Sequence, residues 1–208
     1  MKYIIEHLDK RLYKWCFLEY KHAAEIVGKA NIIFTNVSGK KSVEKLSVFG
    51  KVYTESLVDT NILDNNKICI LDLNADKMLT TKDKDKFDYF VFGGIMGDYP
   101  PQNRTKTIAE SLKEKEKKDG TKIHFEKRHM GKEQMSTDTA VLAAKMIIED
   151  GKNFSEIKFK DTIIIPINDC EEVELPFRYV VDDENHENSE KVILPKGLLE
   201  FLKKRKVF

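Results

Sequence analysis

The apolar positions of this chain fall into short runs separated by charged stretches, and the period of each run predicts an element. Residues 2–7 begin with Tyr3-Ile4-Ile5 after Lys2 and read as a first β-strand. From Asp9 onward Leu12, Trp15, Cys16, Glu19, Ala23, Ile26 and Val27 recur near helical spacing, with Gly28 placed as a C-terminal cap. Residues 31–37 predict a strand, 38–41 a polar loop, and 42–49 a short helix ending near Gly50. Ile68-Cys69-Ile70-Leu71 is an unbroken apolar run ending in Asp72, the pattern of a strand buried on both faces. Residues 80–86 read as a charged short helix or turn.

Asp88-Tyr89-Phe90-Val91-Phe92 is a further strand, apolar after its first residue and stopped by Gly93-Gly94. Residues 104–118 predict a solvent-facing helix, and Ile123 and Phe125 alternate with polar neighbours as in a less buried strand. The most regular helix runs over 137–150, closed by Gly151, with Ser136, Thr137 or Asp138 available to cap its start. Residues 163–166 and 177–181 predict two more strands, and 198–204 a terminal helix. Strands alternating with helices predict an α/β fold whose mainly parallel sheet is flanked by helices. No repeat, low-complexity tract or linker interrupts the chain, so residues 1–208 read as one domain.

Composition narrows the class. With 41% hydrophobic and 34% charged residues the chain reads as soluble and globular. No apolar run approaches the roughly 18 residues of a membrane span, and the short N-terminal run meets Glu6 too soon for a signal peptide. A cytoplasmic protein without membrane contact is expected. Cys16, Cys69 and Cys170 are odd in number and far apart, which suits reduced core thiols and argues against disulfides and zinc. The five histidines lack metal-ligand spacing, so no metal is expected, and most of them read as surface residues. Net charge is only +1, but residues 99–133 hold 10 basic against 6 acidic side chains, and residues 169–190 hold 9 acids against Arg178. Such segregation is either solvated surface or one end of the molecule shaped for a basic partner.

In folds of this kind ligands bind beyond the carboxyl ends of the strands. Three segments qualify: Asp72, residues 93–101 and residues 128–138. The second joins Gly93, Gly94, Gly97 and Asp98 directly to a buried strand, with Pro100-Pro101 fixing its exit. Each segment also reads as an ordinary tight turn. No GxGxxG, GxxxxGK[ST], HExxH or GxSxG motif is present. Phosphate-cradling and hydrolase chemistry lose ground, while a nucleoside ligand lacking phosphates stays open.

Several segments carry a resemblance: residues 1–7, Lys86-Phe87-Asp88-Tyr89-Phe90-Val91-Phe92-Gly93-Gly94-Ile95-Met96-Gly97-Asp98, Arg104-Thr105-Lys106, Gln134-Met135-Ser136-Thr137-Asp138-Thr139-Ala140 and Pro176-Phe177-Arg178-Tyr179-Val180. Together the chain resembles the SPOUT-class methyltransferases, and among them the fungal enzymes that methylate an arginine of a small-subunit ribosomal protein. The resemblance implies a SPOUT fold with a deep C-terminal trefoil knot, an exception to the rule against threading. It implies S-adenosyl-L-methionine as cofactor, held by Phe92, Gly93, Gly94, Ile95, Gly97, Met130, Gly131, Met135 and Thr137, with Phe177 closing the pocket. Ile95, Met130 and Met135 suit the faces of an adenine, and Met135 equally suits core packing.

Methylating arginine calls for a carboxylate that pairs with the guanidinium and takes its proton. Asp98 is the candidate, or else a carboxylate that caps the turn. Arg104 reads as its structural or substrate-orienting partner, and Asp138 as a helix cap. Glu171, Glu172 and Glu174 would form an acidic rim that draws in a basic protein and repels RNA. A SPOUT-type RNA methyltransferase and a non-catalytic, ribosome-associated cofactor-binding module are the alternatives. The basic 99–133 stretch leaves contact with ribosomal RNA open, and a monomer is favoured over a homodimer.

Overall fold

The structure, a computed structural model, describes residues 1–94, 105–120, 122–168, 170–182 and 191–204. In chain order its elements are β1 (Lys2–His7), α1 (Lys14–Val27), β2 (Ile32–Thr35), α2 (Lys40–Ser47), β3 (Lys51–Val52), β4 (Lys67–Leu71) and β5 (Tyr89–Gly94). There follow α3 (Lys106–Asp119), β6 (His124–Arg128), α4 (Thr137–Ile148), β7 (Phe159–Asn168), β8 (Glu171–Val180) and α5 (Leu198–Lys204). Strands β1 to β6 form one sheet in the order β3-β2-β1-β5-β4-β6, and every neighbouring pair is parallel.

Both faces of this sheet are covered, and the two-residue period of the strands sorts their side chains between them. Tyr3, Ile5, Phe34, Cys69, Phe90 and Phe92 pack with residues of α1 and α4 on one face. Ile4, Ile33, Ile68, Ile70 and Val91 pack with Ile108, Ala109 and Leu112 of α3 on the other. Burying both faces is what makes β1, β4 and β5 read as continuous apolar runs. No helix among the described residues is long and apolar enough to cross a membrane.

Four expectations change. Helix α1 begins at Lys14, not Asp9, because the chain leaving β1 stays tied to the sheet edge through the Leu8 N–H to Gly94 carbonyl bond (2.9 Å). The apolar stretches at 163–166 and 177–181 do not join the main sheet. They belong to ten-residue strands β7 and β8, which pair with each other as an antiparallel hairpin. Its underside, with Ile163, Ile165, Leu175, Phe177 and Tyr179, rests on Leu18 of α1 and on Leu198 and Leu202 of α5. Cys170 lies exposed at the hairpin turn, whereas Cys16 and Cys69 are buried. His7 is buried, not a surface residue.

Gly94, the last residue of β5, is crowded by α1. A β-carbon there would lie 2.0 Å from the Tyr20 hydroxyl and 2.6 Å from Ile5, so only glycine lets the helix sit this close. The same hydroxyl is 2.8 Å from His7 Nδ1, on the strand beside it. Gly94→Ala is therefore expected to cost about 1–3 kcal/mol in urea unfolding. Adding Tyr20→Phe should recover part of that loss, since it removes the nearest atom.

Candidate functional site

The C-terminal edge of the sheet gathers the ends of β1, β5, β4 and β6. Glu6 and His7 stand in register with Gly93 and Gly94. Gly93 is also required by the protein itself, because a β-carbon would come within 2.5 Å of Thr105 Oγ1. Phe92 is buried and stacks on Tyr3 at 6.3 Å, so its side chain serves the core and only its backbone is left for a ligand. Ile95, Gly97, Asp98, Pro100, Pro101 and Arg104 lie outside the described residues.

The segment from Arg128 to Thr137 is fixed at both ends. The buried Arg128 guanidinium donates to Asp83 (3.0 and 3.2 Å) and to Glu126 (3.0 Å), anchoring the loop where it leaves β6. Met130 is buried in the main core and Met135 packs against it, so both methionines serve packing. Gly131 has φ +83°, and a β-carbon there would meet the Phe154 ring at 3.1 Å and the Arg178 guanidinium at 3.3 Å. The Arg178 N–H donates to the Gln134 carbonyl (2.8 Å), which ties the loop to β8. Gln134 Oε1 is buried and has no hydrogen-bond partner among the described residues. An orphaned buried acceptor on this loop suits a ligand that brings an N–H donor, as an adenosine-containing cofactor does.

Phe177 is the residue expected to close the pocket. Its side chain belongs to the hairpin underside with Leu175 and Tyr179, because those alternate residues of β8 share one face. Arg178 is the β8 residue that meets the loop. Its guanidinium also pairs with Asp161 through two bonds (2.5 and 2.7 Å), which holds the Asp161 carboxyl below its ordinary range. Arg178 is thereby neutralised, and Glu171, Glu172 and Glu174 remain an exposed acidic group near the hairpin turn. Glu172 and Glu174 stand opposite Pro166 and the exposed Ile164.

Asp72 resolves as a structural residue. It accepts from Lys127 Nζ (2.9 Å) and from the Asn74 N–H (2.9 Å), closing the turn after β4.

A buried acidic pair that the sequence pattern did not single out supports the loop from below. Glu19 of α1 and Asp138 of α4 are 3% and 1% exposed. Asp138 accepts from the Ser136 hydroxyl (2.7 Å) and lies 2.6 Å from His22 Nδ1, so it is no helix cap. Ser136 stands at the cap position, and its hydroxyl turns to Asp138 and Thr139 instead of to the backbone. Glu19 accepts from Trp15 Nε1 (2.6 Å) and from the N–H of Thr137 (3.4 Å), the first residue of α4. Thr137 is buried and held there. Burial, and next the nearby charge of Asp138, push the Glu19 carboxyl up from 4.5 to about 8 against these donors. Only the helical spacing of Glu19 with apolar positions hinted at this burial.

With this geometry in view, known proteins supply a comparison. The sequence profile of the family described as "Protein arginine N-methyltransferase SFM1-like" matches residues 2–207. The chain is 38% identical over 216 residues to protein arginine N-methyltransferase SFM1 of Saccharomyces cerevisiae, covering 98% of this chain and 95% of that protein. Its fold is similar to the crystal structure of the yeast arginine methyltransferase SFM1 complexed with SAM, at TM-score 0.84 and 36% identity, covering 98% and 90% of the two chains. Trm10 of Thermococcus kodakaraensis is 18% identical, with TM-score 0.58 over 75% of this chain and 96% of that one, and shares the fold alone. The fold is thus the expected α/β SPOUT fold with a mainly parallel, helix-flanked sheet.

The raised Glu19 carboxyl links stability to pH. Between 4.5 and about 8 the folded chain keeps a proton on Glu19 that the unfolded chain has lost, so stability falls as pH rises through that window. Melting temperatures at pH 5 and pH 8 should show this fall, and Glu19→Gln, neutral at both, should flatten it.

Proposed function

The chain belongs to the SFM1-like family of protein arginine N-methyltransferases, and from that premise we propose that it methylates an arginine of a small-subunit ribosomal protein, using S-adenosylmethionine. Full-length likeness, in sequence and in fold, to an arginine methyltransferase solved with its methyl donor carries this reading. The residues proposed to hold the cofactor are the backbone of Phe92, Gly93 and Gly94, the segment from Met130 and Gly131 to Gln134, Met135 and Thr137, and Ile95 and Gly97. The trefoil knot implied by the resemblance is part of the same proposal.

When bound, S-adenosylmethionine supplies an electrophilic methyl carbon: its C–S bond breaks, with the electron pair staying on sulfur, as the bond to a guanidino nitrogen forms. The chain's own task is to place that nitrogen in line and to remove its proton. A guanidinium is fully protonated at neutral pH and its nitrogens are poor nucleophiles. A carboxylate that accepts the proton as the methyl arrives meets this need, and Asp98 is assigned to it, with Arg104 orienting the substrate.

Two observations favour protein over RNA. Among the described residues no lysine or arginine is paired with Glu171, Glu172 or Glu174, and Arg178 is committed to Asp161. The basic stretch is partly neutralised along α3, where Lys106 pairs with Glu110 (3.3 Å) and Lys115 with Asp119 (2.9 Å). A ribosomal substrate would be met in the cytoplasm, and the chain would act on it as a monomer.

Incubation with methyl-labelled S-adenosylmethionine and small ribosomal subunits should place label on arginine in a protein. Label confined to RNA would sink the proposal. Asp98→Asn should lower turnover by roughly 100-fold or more. Replacing Glu171, Glu172 and Glu174 together by lysine should raise KM for the ribosomal substrate, more so at low salt, while calorimetry shows cofactor affinity unchanged.

A further inference from the structure

Glu6 lies one strand away from the cofactor turn and takes no part in the contacts described above. The strand alternation turns it, like Ile4, to the α3 face of the sheet. Glu6 is 3% exposed, and its carboxyl group accepts hydrogen bonds from the hydroxyls of Thr35 and Ser56 (2.6 Å to Ser56) and from the Leu57 N–H (3.0 Å). No lysine, arginine or histidine among the described residues pairs with it. Of the other buried acids described, Asp72 has Lys127, Asp83 has Arg128 and Asp138 has His22. Glu19 shares the lack of a cation, but it is packed against Asp138 and is not among the residues lining the pocket beside Glu6. A buried carboxylate without a counter-charge is expensive. Among the described residues three donors offset part of that cost, against the roughly four acceptor positions of a carboxylate.

Glu6 forms one wall of a pocket of 170 Å³, bounded also by Asn36, Ser56, Thr107 and Ser111, with Ile108 among its apolar surfaces. The polar groups present mainly acceptors. The Asn36 amide nitrogen donates one of its hydrogens to the His7 carbonyl (2.7 Å), and its Oδ1 is an acceptor. The Ser56 hydroxyl donates its proton to Glu6 and so offers lone pairs. Such a lining suits a cation rich in donors, and a guanidinium has five N–H groups and no acceptor. The volume is below the roughly 300–1,000 Å³ that encloses a whole small-molecule ligand. It fits the end of one long side chain, not the methyl donor.

The pocket also adjoins the cofactor turn. Glu6 is in register with Gly93, and the Leu8 N–H donates to Gly94 (2.9 Å). Thr105 covers Gly93, and Thr107, two residues on, lines the pocket.

We infer that this pocket receives the guanidinium of the target arginine, with Glu6 as the carboxylate that pairs with it and turns one nitrogen toward the end of β5. The inference rests on the arginine-methyltransferase reading above. Glu6 binds and orients the cation, while the proton lost on methylation goes to the acceptor assigned to Asp98.

The test uses the full chain, labelled S-adenosylmethionine and small ribosomal subunits, with cofactor affinity measured separately by calorimetry. Glu6→Gln removes the charge. Ser111→Leu fills the pocket from α3 and leaves Glu6 and its donors in place, so it keeps the test decisive if the first variant unfolds. Both should lower kcat/KM for the protein substrate by about 10- to 100-fold, the worth of a charge-assisted hydrogen bond, with cofactor affinity within about twofold of the parent. Wild-type transfer rates in folded variants would overturn the pocket and leave the methyltransferase reading standing. Absence of protein label with the parent chain would overturn that reading and the pocket together.

Discussion

The Tyr20 hydroxyl rests on the α-carbon of Gly94, and this contact sets how α1 lies across the end of β5. Much of the site follows from that placement, because consecutive residues of α1 point around the helix at about 100° intervals. Leu18 faces the hairpin, Glu19 reaches the first N–H of α4, Tyr20 meets Gly94 and His7, and His22 meets Asp138. One helix thus holds three separate parts of the chain in a common frame, and a side chain at position 94 would displace all of them together. The demand for glycine comes from inside the fold, before any ligand is considered.

Electrostatics sort the buried acids into two kinds. Asp72 and Asp83 have cationic partners and close turns, with Arg128 bonding Asp83 and stacking over Phe87. Glu6 and Glu19 have only neutral donors around them. For Glu19, buried against Asp138, the result is a raised carboxyl pKa and a structural brace beneath the loop. For Glu6, open to a polar pocket, the result is a site that a cation can complete. Two acids with similar burial diverge because one faces a second acid and the other a cavity.

Much of the sheet was legible in the sequence, because β1, β4 and β5 are buried on both faces and so read as unbroken apolar runs. The two-residue strand β3 carries no such signal, being too short to show a period. The pairing of β7 with β8 depends on contacts between residues 159 and 180 that local pattern does not encode. The resemblance points to the C-terminal edge and the 128–137 loop, with Phe177 closing the pocket; in the structure Phe177 lies on the hairpin underside, and Arg178, its neighbour on the opposite face, is the residue that meets that loop. Glu6 and Glu19 were overlooked for a shared reason: an acid inside an apolar run or a helical stripe looks like an edge position until its neighbours in space are known.

The hairpin and the 128–137 loop are joined through β8. β8 carries Glu172 near its exposed start and, further along, the Arg178 N–H bonded to Gln134. The Asp161–Arg178 pair braces the two strands against one another at the same point. One strand thus runs unbroken from the acidic turn to the residue that meets the 128–137 loop. A partner seated at the exposed acidic end would therefore bear on the strand that is bonded to the backbone of residue 134.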